Sequence, residues 1–185
     1  MAKLRGLGIG WVRGDLVPEE SAVEEILALR KRIEEIQAEL EATRTSGPEG
    51  TSELAQGDDT FDLNFSFVAS PDQYSFHGTG YKHHVEAAWD EIFAAVAPLM
   101  INEVSDEQLS NALTGFSRDM SVPELRSMKD LKGKRLMDFS VNDDDFQTVK
   151  VQLRALGLIS KSAKNRSVKD TNTYWTLTPY AILTT

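Results

Sequence analysis

Three patterns in the 185 residues predict a mixed α+β chain. From Ala22 to Leu40 apolar residues recur at spacings of four, three, four, three and four, the repeat of a helix that meets a helical partner. Phe61, Leu63, Phe65 and Phe67 alternate with Asp62, Asn64 and Ser66, the period of two that buries one face of a strand. From Trp89 onward, helical spacings lead to Leu153-Arg154-Ala155-Leu156-Gly157-Leu158-Ile159, and a second extended run returns at Thr173–Pro179. Short helices followed by a two-stranded ribbon with a basic tip read as a winged-helix-like domain. The expected organisation is an irregular lead-in (1–17), a coiled-coil helix (18–44), a flexible linker (45–60), a β-hairpin (61–88) and the winged-helix-like domain (89–185).

Each element has a local cause. The lead-in carries Gly6, Gly8, Gly10 and Gly14 around Trp11, and too few residues precede its glycines for the strand that a nucleotide-binding loop requires. Pro18 suits a first helical turn, and Glu19, Glu20, Glu24 and Glu25 oppose the positive end of the helix dipole. Ile26, Ile33 and Leu40 take heptad position a, Ala22, Leu29 and Ile36 take d, and Glu25 at g faces Arg30 at e of a parallel partner. So narrow a stripe needs cover, either from a second copy, the reading adopted, or from the chain's own body. About three heptads leave dimer and trimer open. Gly47, Pro48, Gly50 and Gly57 among polar residues mark the linker.

After the alternating strand, Ser70–Gly80 is rich in turn residues, and Tyr81–Ala87 supplies the hairpin's second strand. His77, His83 and His84 are the only histidines, and the adjacent pair points to opposite faces of a strand, which is poor geometry for a shared ion. Trp89, Ile92, Phe93, Val96 and Met100 predict a helix over Trp89–Ile101. Ser105-Asp106-Glu107-Gln108 is a capping box opening another, with Leu109, Ala112, Leu113 and Phe116 inward. Met128–Arg135 is basic and irregular, and Leu136–Val141 reads as a short strand. Asn142 or Asp143 caps a helix whose apolar positions are Phe146, Val149, Leu153 and Leu156, and Gly157 stops it in a left-handed residue.

These residues carry a family resemblance. The run Phe146–Ile159, the ending Tyr174-Trp175-Thr176-Leu177-Thr178-Pro179-Tyr180, and Gly10-Trp11-Val12-Arg13-Gly14-Asp15 before a heptad helix resemble the C-terminal region of bacterial proteins with the domain of unknown function 4062. The resemblance spans nearly the whole chain. It implies an accessory region that follows a TIR-like N-terminal domain, absent here, in proteins suspected of defence or signalling. It carries over no catalytic residue.

Charge separates the readings of function. Residues 1–122 hold 9 basic and 22 acidic side chains, a net −13, whereas 123–185 hold 11 and 7, a net +4. A DNA-binding reading places the helix 144–156 in the major groove with Gln147, Lys150 and Arg154 toward bases or phosphates, while Lys161, Lys164, Arg166 and Lys169 on the wing follow the backbone. Asp143, Asp144 and Asp145 at that helix's N-terminus oppose it, as does the whole-chain −9. The favoured expectation is a non-catalytic, partner-sensing module of a bacterial defence or signalling protein. It oligomerises through Ile26, Leu29, Ile33, Ile36 and Leu40 and prefers a protein partner to DNA. The absence of cysteine removes disulfides, thiol nucleophiles and Cys-rich metal sites. No carboxylate pair, Ser/His/Asp set or phosphate loop has chemical spacing, so neither enzyme activity, cofactor nor metal is expected. With no apolar run of about 20 residues and no signal-like segment, a cytoplasmic protein without membrane contact is expected.

Overall fold

The computed structural model describes residues 20–72, 74 and 77–184. The lead-in 1–17 and Pro18 lie outside them. The chain divides into two units, 1–43 and 44–185. The first is represented by helix α1 (Glu20–Thr45), within two residues of the expected span.

In the second unit, β1 (Thr60–Ser70) and β2 (Thr79–Ala88) form the expected hairpin, antiparallel from Ala69↔Thr79 to Thr60↔Ala88. Leu63, Phe65, Phe67 and Ala69 are buried and Asp62, Asn64 and Ser66 exposed, as the alternation requires. Helix α2 (Trp89–Val96) is shorter than the expected 89–101, because Pro98 lacks the N–H that a continuing α-helix needs. The chain tightens there into a 3₁₀ turn over Ala97–Ile101. Then come β3 (Val104–Ser105), α3 (Asp106–Ser127), β4 (Arg135–Val141), α4 (Asp143–Ala155), β5 (Ile159–Lys161), β6 (Tyr174–Leu177) and α5 (Pro179–Thr184).

Both expected N-caps form. Ser105 Oγ accepts from the Gln108 N–H at 3.2 Å while Gln108 Oε1 accepts from the Ser105 N–H at 3.1 Å. Asn142 Oδ1 accepts from the Asp144 N–H at 2.8 Å. Gly157 closes α4 at φ +72°, its N–H on the Arg154 carbonyl and the Leu158 N–H on that of Leu153, the paired bonds of a Schellman stop.

Two expectations about organisation are corrected. The hairpin 61–88 is not separate from 89–185, because β4 pairs antiparallel with β1 and the strands stand in the order β2-β1-β4. A register shift between Ser66 and Val68 accompanies that pairing, and Asp138 on β4 has φ +51°. The second sheet, β3-β6-β5, is also antiparallel. The linker 45–60 is not a free connection. Its backbone carbonyls at Gly57 and Asp59 accept from the N–H groups of Asp90 and Trp89, both at 3.0 Å, and Gln152 donates its side-chain amide to the Ala55 carbonyl. Polar composition signalled flexibility, but these backbone groups find partners on the helices they cross.

Pro48 packs over the α4 stop, so a Cβ at Gly157 would meet its ring carbons at 2.6 Å. Gly157→Ala is therefore expected to cost about 1–2 kcal/mol for the left-handed conformation alone, with displacement of Pro48 in addition. Urea unfolding measures this, and a loss below about 0.5 kcal/mol, the scale of an ordinary surface substitution, would contradict the close approach.

The core follows from this arrangement. Leu63, Ile92, Leu109, Leu113, Leu153 and Trp175 belong to one buried cluster that joins the hairpin to α2, α3, α4 and β6. Phe65, Phe67, Leu125 and Leu131 form a second beneath the distal half of β1.

Candidate functional site

Two surfaces were expected to carry function, the seam of α1 and the basic face of α4 with the ribbon. On α1, Ile26, Leu29, Ile33, Ile36 and Leu40 are 48–57% exposed. Full burial of one such side chain contributes about 1.5–3 kcal/mol. Five in a row therefore leave a large gain unrealised in the single chain.

The basic surface is rearranged by the fold. Gln147, Arg154, Lys161 and Lys169 are exposed as expected. Lys150 is not a surface contact. It is buried, its Nζ lies 3.0 Å from Asp106 Oδ1, and its ammonium sits over the Phe146 ring at 4.4 Å and the Trp175 ring at 5.6 Å. Trp175 Nε1 donates to the same oxygen at 2.6 Å. One carboxylate at the start of α3 thus ties α4 to β6, and burial of an ammonium requires such a partner.

Two of the ribbon's cations are paired from within. Lys164 Nζ lies 3.1 Å from Glu103 Oε1, and Arg166 pairs with Glu103 Oε2. The Arg166 guanidinium also stacks 3.4 Å from the Tyr174 ring centroid, and Tyr174 donates its hydroxyl to Asp170 at 3.1 Å. Arg166 is therefore held against the body, while Lys164 stays exposed with its ammonium on Glu103. No local pattern in the sequence marks Glu103. Asp106 is visible only as part of a capping box.

Hydrogen bonds from Ser162 and Lys164, then the charges of Arg166 and Lys164, hold the Glu103 carboxyl below its ordinary value of 4.5, against partial burial. A lowered carboxylate contributes stability that is complete above that ordinary value and is lost as pH falls from it through the lowered folded value. Glu103→Gln is expected to flatten the acid limb of the unfolding profile over that interval. Urea titrations at stepped pH check it, and an unchanged limb would mean that Glu103 does not tie the ribbon.

At the N-terminus of α4, Asp143 and Asp144 are exposed, while Asp145 Oδ2 accepts from the Asn64 N–H at 2.7 Å and its amide at 2.9 Å. The outer face of α4 is mixed. Gln147, Thr148, Arg154 and Ala155 surround Val151, which is 67% exposed.

His83 and His84 point to opposite faces of β2. His84 lines an open groove of about 430 Å³ with Asn64, Ser66, Lys82 and Ser140. His83 turns inward, edge-on to Phe65 at 5.8 Å, with Nε2 3.7 Å from a Glu124 oxygen. Among the described residues, no three His, Asp or Glu side chains are grouped to hold a metal, and no helix is long and apolar enough to cross a membrane.

Fold and surfaces together define a mixed α+β protein in which a helix with an exposed apolar seam accompanies a body of two three-stranded antiparallel sheets. Comparison adds no relative: no family model, curated protein or solved structure matches the chain.

Proposed function

We propose that the chain is a non-catalytic self-associating module, in which α1 forms a short coiled coil and the body recruits a protein partner. The exposure of Ile26, Leu29, Ile33, Ile36 and Leu40 in heptad register carries this reading. The order α2, β3, α3, α4, β5, β6 with strands arranged β3-β6-β5 supports a winged-helix reading of the body, with β4 inserted between its second and third helices. On such a body α4 occupies the recognition position. Its outer face offers Val151 and Ala155 between Gln147 and Arg154, beside two exposed carboxylates, a mixture suited to a protein surface rather than to phosphates. The resemblance to the domain of unknown function 4062 proteins points to the same role, an accessory region that sets the oligomeric state of a bacterial defence or signalling protein.

Sedimentation of the wild type beside Ile33→Asp tests the self-association, and two monomers of equal size would end the reading. A mixed-sequence duplex titrated at low salt tests the partner class. No shift is expected, because Lys150 is buried against Asp106, Lys164 and Arg166 share the Glu103 carboxylate, and Asp143 and Asp144 stand exposed at the start of α4. A shift that weakens steeply with salt and is lost in Arg154→Glu would favour DNA instead.

A further inference from the structure

The sheet β2-β1-β4 has two edges of different character. The β4 edge is interrupted, since its register with β1 shifts and Asp138 turns to φ +51°. Such irregularity blunts an edge against pairing. The β2 edge has none. Its ten residues stay in step with β1 from Thr79 to Ala88, with no proline, and among the described residues no strand lies beyond it. Proteins usually protect so regular an edge.

The side chains of β2 show what fits there. On the solvent face, Lys82, His84 and Glu86 are exposed, and neither Lys82 nor Glu86 is in an ion pair among the described residues. Lys82 and Glu86 stand two positions to either side of His84, close to the middle of the strand. We propose that β2 pairs antiparallel with β2 of a second copy about a two-fold axis at His84, joining two three-stranded sheets into one of six. In that register Lys82 faces Glu86 of the second copy and Glu86 faces Lys82, two salt bridges made by one symmetry operation. Gly80 faces Ala88.

Neighbouring registers are poorer. Centring on Lys82 or on Glu86 sets like charges face to face, and centring on His83 or Val85 leaves the lysine and glutamate without each other. A shift that exchanges faces would turn Tyr81 and Val85 to water. In the proposed register the half-buried Tyr81, His83 and Val85 on the inner face meet Ala87, Val85 and His83 of the second copy, extending the apolar face beyond its present edge. This surface uses no residue of α1, and its test lets either association fail alone.

The chain contains no cysteine, so a single introduced thiol reports only on a second copy. His84→Cys places two thiols at the axis, where cross-strand Cα separations of about 4.5–5.5 Å allow a disulfide. Asp62→Cys, on the same face but one strand inward, is the control. Under mild oxidation His84→Cys is expected to form a disulfide-linked dimer at least tenfold faster than Asp62→Cys. Adding Lys82→Glu should abolish that advantage, and adding Glu86→Lys to it should restore it, because the exchange keeps opposite charges opposed. Both thiol variants are also oxidised in the Ile33→Asp background, and His84 faster than Asp62 in either background supports the pairing. Equal rates in both backgrounds overturn it whatever sedimentation says of α1, and indifference to Lys82→Glu overturns the register.

Discussion

Ile33→Asp is expected to convert a self-associated wild type into a monomer throughout the micromolar range. Ile33 is the middle a position of the seam and is 53% exposed in the single chain. In a dimer, two copies lose its burial, about 1.5–3 kcal/mol each, before the cost of drying two carboxylates that face one another. A loss of about 3–6 kcal/mol corresponds to roughly two to four orders of magnitude in Kd. Leu27→Asp separates register from exposure. Leu27 is 60% exposed but lies one position past a, outside the seam. It is expected to leave the sedimentation coefficient unchanged, and equal effects from both substitutions would refute heptad packing. Helicity should fall with Ile33→Asp, since a helix of this length gains most of its stability from a packed face.

Asp106→Ala is expected to be the most destabilising substitution in the body. It leaves the Lys150 ammonium buried without a counter-charge and deprives Trp175 Nε1 of its acceptor. Breaking a fully buried pair costs about 3–5 kcal/mol, whereas exposed pairs contribute under about 1. With Lys150 8% and Asp106 37% exposed, about 2–3 kcal/mol is expected, a fall of about 4–12 °C in Tm for a chain of this size. Adding Lys150→Met should recover most of it, because a flexible apolar side chain can lie against Phe146 and Trp175 and needs no carboxylate. Urea unfolding of the three variants reads both steps. A loss under about 0.5 kcal/mol for Asp106→Ala would show that the ammonium finds water in its place.

Lys150 also marks where local reading stops. Its position on α4 follows from the apolar spacing around it, which turns Phe146, Val149 and Leu153 into the core. The sequence shows a cation between those positions with no sign that Asp106, 44 residues earlier, is turned toward it. Glu103 relates to Lys164 and Arg166 in the same way, across about 60 residues and through β3–β6 pairing that involves only two residues of β3. The seven polar positions that the sequence places on one interface are therefore divided: Lys150 and Arg166 are drawn into ion pairs with the body, Lys164 pairs with Glu103 while still exposed, and the other four face solvent. The linker differs for a related reason, since its glycines and polar residues describe the chain's freedom but not the carbonyls that α2 and α4 engage.

Features that depend on neighbours a few residues apart are legible in the amino-acid order alone. That covers the heptad seam of α1, the alternation in β1, the caps at Ser105 and Asn142, the stop at Gly157 and the contrast of −13 with +4. These rest on backbone geometry and helix or strand period, which a short segment carries in full. That β4 joins β1, that 45–60 lies against α2 and α4, and which cations are paired with the body all depend on long-range packing. A strand's pattern says which face is buried but not which strand lies beside it, and a charge's sign does not say which opposite charge the fold will bring within 3 Å.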